Sequence, residues 1–172
     1  MSAMTDTRIA PQFVSDERTM LDSWLEFHRA TLALKCQGLE PDQLRIRPLP
    51  PSSLSLLGLV RHMAEVERHW FQVVLGGEQF PHGIYWTDEQ PDGDFDNVDT
   101  ADADEAFATW RTQCESARKA AEGVPLDAVG KRLRQGNEVS LRWIMVHMIE
   151  EYARHNGHAD LIREQIDGVT GE

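Results

Sequence analysis

Apolar side chains recur at steps of three and four along four stretches of this chain, and the segments between them are polar or broken by proline and glycine. The first stretch runs from Asp16 to Gln37 and aligns Leu21, Trp24, Leu25, His28, Leu32 and Cys36 on one face, the repeat of a helix with one buried side. Ser15 is its expected N-cap and Gly38 its stop. The second begins near Ser53 or Ser55, aligns Leu59, Met63, Val66, Trp70 and Val73, and ends at Gly76 and Gly77. The third opens at Asp102 with Glu105 as capping-box partner, carries Phe107, Trp110, Cys114 and Ala117, and runs to Ala121, with Gly123 and Pro125 as the stop. Ser140 caps the fourth, which reaches Gln165 or Ile166 just ahead of Gly168.

The connections are equally legible. Pro41, Pro48, Pro50 and Pro51 make a stiff non-helical link, because each removes a backbone donor and fixes φ. Residues 77–100 show no sustained period, and two readings fit: a functional loop, or a crossover whose aromatics fold onto the core. Leu126 to Val139 is polar, contains glycine, and reads as a short turn or strand pair. Helices of roughly 20 residues joined by returning connections predict an all-α protein. The architecture expected is an antiparallel four-helix bundle with a long loop between its second and third helices. One domain is expected over residues 1–172, with 1–13 as a flexible lead.

Composition narrows the function. The 172 residues carry 17 Lys and Arg against 29 Asp and Glu, a net charge of −12. Such a chain is a poor match for a nucleic-acid backbone or an anionic membrane surface, both of which need clustered cations. Cys36 and Cys114 are too few for a disulfide framework and suit a reducing compartment. No apolar run approaches the roughly 18 residues a membrane span needs. Met1 to Pro11 has neither the basic start nor the apolar run of a secretory signal, so a cytoplasmic location is expected.

The chemistry lies in the fourth helix. Counting about 100° per residue from Ile144, Met148, Ile162 and Ile166 fall within about 40° of it and mark the inward stripe. Glu151, His155 and His158 fall on the same stripe, while Arg142 and Asp160 point away. A buried unpaired carboxylate costs several kcal/mol, so Glu151 needs a cation, donors or a proton. Glu151 and His155, one turn apart, can grip one metal ion. A third ligand must come from another helix, and His62 on the inner edge of the second is the best placed, with His69 weaker. The bland alternative is a set of core histidines satisfied by neighbouring polar groups, with Glu151 paired to Arg154 or Arg61. His158 is open between fourth ligand, general base and support for a ligand. His28 and His147 read as core-edge histidines. Gly157, costly inside a helix, suggests close approach of a ligand or backbone. Paired Glu-x-x-His motifs, His-Glu-x-x-His, Gly-x-Ser-x-Gly and glycine-rich phosphate loops do not occur.

The pairing of LGLVRHMAEVERHW with HMIEEYARHNGHADLIRE resembles the DinB superfamily of helical metalloproteins over nearly the whole chain. Many members carry His-x-x-x-His-x-Gly-Gln on the last helix; here Glu151 replaces the first histidine and His158 the glutamine. The glutamate version is similar to the thiol-dependent branch that includes mycothiol-dependent maleylpyruvate isomerase, although this chain lacks that enzyme's additional C-terminal domain. The resemblance implies metal ligands His62, Glu151 and His155, with zinc expected and nickel or iron as alternatives. It also implies a low-molecular-weight thiol such as mycothiol as cosubstrate and a small electrophile as substrate. His158 would be the catalytic group relaying the thiol proton, and the protein a homodimer. The competing expectation is a non-catalytic, stress-associated or ligand-binding bundle whose metal only stabilises the fold.

Overall fold

The computed structural model describes residue 6 and residues 8–171. The expected flexible lead over 1–13 lies partly outside the described residues. Helix α1 spans Glu17–Cys36, and α2 is a single turn, Pro41–Leu44. Helix α3 spans Leu56–Glu67 and continues without a break into a π-helical stretch, Arg68–Leu75. A turn α4, Gly93–Asp96, passes into a 3₁₀ turn, Asn97–Thr100. Helices α5, Ala103–Ala121, and α6, Leu141–Asp167, complete the chain. The protein is all-α: among the described residues there is no strand, only isolated bridges joining Val129 to Ser140 and Arg134 to Asn137. None of the helices described is long and apolar enough to cross a membrane.

The caps explain where the helices begin. Asp16, rather than the expected Ser15, starts α1, its carboxylate accepting from the Thr19 amide at 3.0 Å and the Thr19 hydroxyl at 2.6 Å. Aspartate there also places negative charge against the positive helix end. Ser55 caps α3 and Ser140 caps α6 through their hydroxyls, and Asp102 caps α5. Gly168 takes the left-handed conformation that closes α6.

Helix α1 packs along α6, and α3 packs on α5 with its π-helical continuation. Leu32, Leu57, Leu59, Met63, Ile144, Met148, Tyr152 and Ile162 are fully enclosed between them. Each aliphatic side chain removed from water this way contributes about 1.5–3 kcal/mol before entropic costs. The sequence face of α3 holds only to Met63. Beyond Glu67 the π turn needs more than four residues per repeat, which rotates the buried face: Phe71 and Val74 join Trp70 inside, while Val73 is half-buried.

Within this core lies a charged knot that the sequence did not suggest. Glu67, with no solvent exposure, receives Arg29 Nε at 2.7 Å and Nη2 at 2.6 Å. The Tyr152 hydroxyl donates to the same carboxylate at 2.7 Å and accepts from Trp110 Nε1 at 2.9 Å. Cys114 Sγ lies 3.6 Å from it. Burial alone would lower the Arg29 pKa, yet the adjacent Glu67 charge raises it well above its ordinary value. The knot ties α1, α3, α5 and α6 at one point.

Two irregular segments complete the walls. Residues 77–92 lead into α4 and lie against α3, where Arg61 donates to the carbonyls of Gly93 and Asp94 at 2.9 and 3.0 Å. The segment after α5 returns to the end of the π stretch: the amides of Lys131 and Arg132 donate to the carbonyls of Leu75 and Val74 at 3.2 and 3.1 Å. Gly130 permits that approach, since a Cβ there would meet the Val74 carbonyl oxygen at 2.7 Å.

Candidate metal centre

His62 sits on α3, and Glu151 and His155 sit one turn apart on α6. The structure brings all three together: one ligand atom from each lies within 4.8 Å of the others. His155 Nε2 is 3.4 Å from Glu151 Oε2, about the edge of a tetrahedron around an ion with bonds of roughly 2.1 Å. The rings of His62 and His155 meet edge to face with centroids 4.8 Å apart.

Each imidazole has a partner behind it. His62 Nδ1 lies 2.8 Å from Asp94 Oδ2; with the proton on Nδ1 donated to that buried carboxylate, the Nε2 lone pair faces the cluster. Phe95 lies against the same ring, centroids 5.1 Å apart. His155 Nδ1 lies 3.3 Å from His158 Nδ1, a hydrogen bond when one of the two carries the proton there. With that proton on His155, its Nε2 is free. The donor set therefore fits a divalent cation such as zinc: two neutral imidazoles and one carboxylate.

Electrostatics favour the same state. Burial, then the neighbouring imidazoles of His62 and His158 and the Arg154 charge, push the His155 pKa down to about 3. The folded protein thus holds His155 neutral where an unfolded chain, near pH 6.5, would protonate it. Unfolding then takes up a proton below that value, so metal-free protein loses stability as pH falls from about 6.5 toward 3, with a limiting slope of about 1.4 kcal/mol per pH unit from this group. Denaturant midpoints of chelated protein at pH 7.5, 6.5 and 5.5 check this, and His155→Asn flattens the decline.

Glu151 is only partly shielded, its side chain 15% exposed. Its second oxygen, Oε1, faces His147 Nε2 at 3.3 Å and Arg154 Nη1 at 3.8 Å. His147 is half-buried and stacks on Trp143 with centroids 4.9 Å apart. Arg61, the other pairing considered for Glu151, is committed to the α4 carbonyls. His69 on the π stretch is exposed and falls outside the His62, Glu151 and His155 trio. Cys36 and Cys114 are buried free thiols, with pKa values displaced upward chiefly by burial.

The close backbone approach expected at Gly157 is not found among the described residues. Gly157 is exposed, and a Cβ built there meets nothing within 4 Å. No close approach requires glycine. Gly157→Ala is expected to stabilise the protein by about 1 kcal/mol through helix propensity, a rise in Tm of about 2–4 °C readable by calorimetry.

Sequence reasoning missed Asp94. It comes from the single turn α4, 32 residues beyond His62, too short for periodicity to mark. The one local sign is Gly93 in the same turn: a Cβ there would strike the Tyr85 carbonyl oxygen. A cavity of about 450 Å³ opens beside His62 and Asp94, walled by Val66, Val73, Phe80, Trp86 and Phe95 among others. A second, of about 760 Å³, adjoins Glu151, His147 and Trp143. Trp70 and His69 line both.

An all-helical protein that gathers two imidazoles and a carboxylate from two helices, with His62 lining a cavity, has the make-up of a helical metalloprotein. The family model of the mycothiol-S-transferases matches residues 20–168, and the chain belongs to that DinB-like family. The family's chemistry implies a thiol cosubstrate. No curated protein matches the chain.

Proposed function

We propose that the protein is a metal-dependent mycothiol S-transferase acting on a small electrophile. The observation that carries the reading is the His62, Glu151 and His155 cluster, with Asp94 and His158 behind its imidazoles and a cavity against it. In this reading the four long helices form an antiparallel four-helix bundle of the DinB type, working in the cytoplasm as a homodimer.

His62 and His155 would offer ring nitrogens to the ion, and Glu151 would offer a carboxylate oxygen and offset part of its charge. Zinc would suit this donor set. A divalent cation there supplies the acidity that lets a thiol ionise near neutral pH. Asp94 holds the His62 tautomer by accepting from Nδ1–H. His158, expected as the catalytic relay, takes a positioning role: its Nδ1 accepts from His155 Nδ1–H and keeps the opposite nitrogen free. The apolar cavity walls orient the electrophile and exclude water from the sulfur. In the transfer the thiol proton passes to solvent, the sulfur's electron pair forms the carbon–sulfur bond, and the leaving group departs with the electron pair of the bond it breaks.

Metal content of protein purified without chelator or affinity-tag nickel, together with mycothiol-adduct formation on a panel of electrophiles, tests the reading. Stoichiometric zinc with adduct formation is expected. Absence of metal discards it. Metal whose removal lowers Tm, with no turnover on any electrophile, favours the non-catalytic bundle instead.

A further inference from the structure

We infer that the cavity beside His62 recognises an acidic group on the electrophile, a carboxylate or sulfonate carried by an apolar or aromatic body, and that Arg132 is the residue that reads it. This rests on the transferase reading for the word electrophile, and on the structure for the anion site.

Most arginines of this acidic protein are occupied. Arg18, Arg29, Arg45, Arg47, Arg68, Arg118, Arg142, Arg154 and Arg163 each sit against a carboxylate, and Arg61 donates to two carbonyls while stacking on Tyr85. Arg132 is different. Half-buried, it lines the 450 Å³ cavity and has no side-chain partner among the described residues. Its position is fixed by the backbone bond from its amide to the Val74 carbonyl.

The acids at the same cavity are largely consumed. Asp94 accepts from His62 and from the Phe95 amide; Glu65 is held by the Tyr85 amide and by Arg68. Asp92, exposed at the rim, forms no ion pair with Arg132. A guanidinium left unpaired at the edge of an aromatic-walled cavity, in a chain with carboxylates to spare, is built for an anion brought from outside. Its planar fork matches a carboxylate bidentately. Arg134, two residues on, lies over Trp70 at 5.9 Å and faces the other cavity, so it serves as an internal control.

The probes are 3-nitrobenzoate and the uncharged isostere 3-nitrobenzamide, followed by quenching of the cavity tryptophans Trp70 and Trp86 with no thiol present. Wild-type protein is expected to bind the anion about tenfold or more tighter at low salt, the margin shrinking as salt is added. Arg132→Gln brings the two affinities together with Tm unchanged, while Arg134→Gln keeps the preference. Equal affinities in wild type, no binding of either probe, or a preference that survives Arg132→Gln overturns the inference; the last would place the anion on the histidine cluster. Because no turnover is read, a preserved preference in protein that forms no thiol adduct refutes the transferase reading alone.

Discussion

Replacing Arg29 by methionine is expected to destabilise the protein by about 3–5 kcal/mol, a large share of the roughly 5–15 kcal/mol that holds a domain folded. The reason is the group left behind. Glu67 is fully enclosed, and two of the three strong donors to its carboxylate, at 2.7 and 2.6 Å, come from Arg29. The Tyr152 hydroxyl, at 2.7 Å, cannot by itself stabilise a desolvated charge. Removing both charges is a different experiment: the pair Arg29→Met with Glu67→Met has no stranded ion and is expected to recover most of the loss. Tyr152→Phe, which removes one hydrogen bond to a charged acceptor, is expected to cost about 1.5–3 kcal/mol. Urea unfolding of the three variants checks the ranking, and a double variant no more stable than Arg29→Met alone would refute it.

His62→Ala is expected to abolish stoichiometric metal and reduce thiol transfer by about 10³-fold or more, since the lost term is several kcal/mol of charge stabilisation. In the proposed site His62 is the member of the trio that α3 carries, and without it Glu151 and His155 would hold an ion from one side only. Asp94→Asn marks the contrast. The ring remains, but its partner is no longer a carboxylate, so metal affinity should fall about 10–100-fold while metal still binds at high concentration. Competition against a chromophoric chelator separates the two variants. Equal affinity for wild type and Asp94→Asn would show that Asp94 does not orient His62.

Helix α6 was legible in the sequence because one period persists over its 27 residues. The inward placement of His155, and the meeting of Glu151 and His155 with His62, follow from that regularity. Two kinds of information were not in the pattern. The π turn after Glu67 changes the residues per repeat, so a 3.6-residue count mistook half-buried Val73 for a core position and gave no hint that Phe71 lies inside. Contacts made from a single short turn, such as Asp94 of α4 on His62, depend on where the chain returns in space. Gly157 misled for a simpler reason: a glycine in a helix signals either a close neighbour or nothing, and composition does not distinguish them.

Asp94 and Phe95 belong at once to the wall of the 450 Å³ hollow and to the brace behind His62. A molecule that settles against that wall and an ion that engages the imidazole would therefore act through the same two residues. Thermodynamic reciprocity then requires that whatever factor the guest imposes on the ion's affinity, the ion imposes on the guest's, so loading order would not alter the final occupancy although it would alter how fast it is reached.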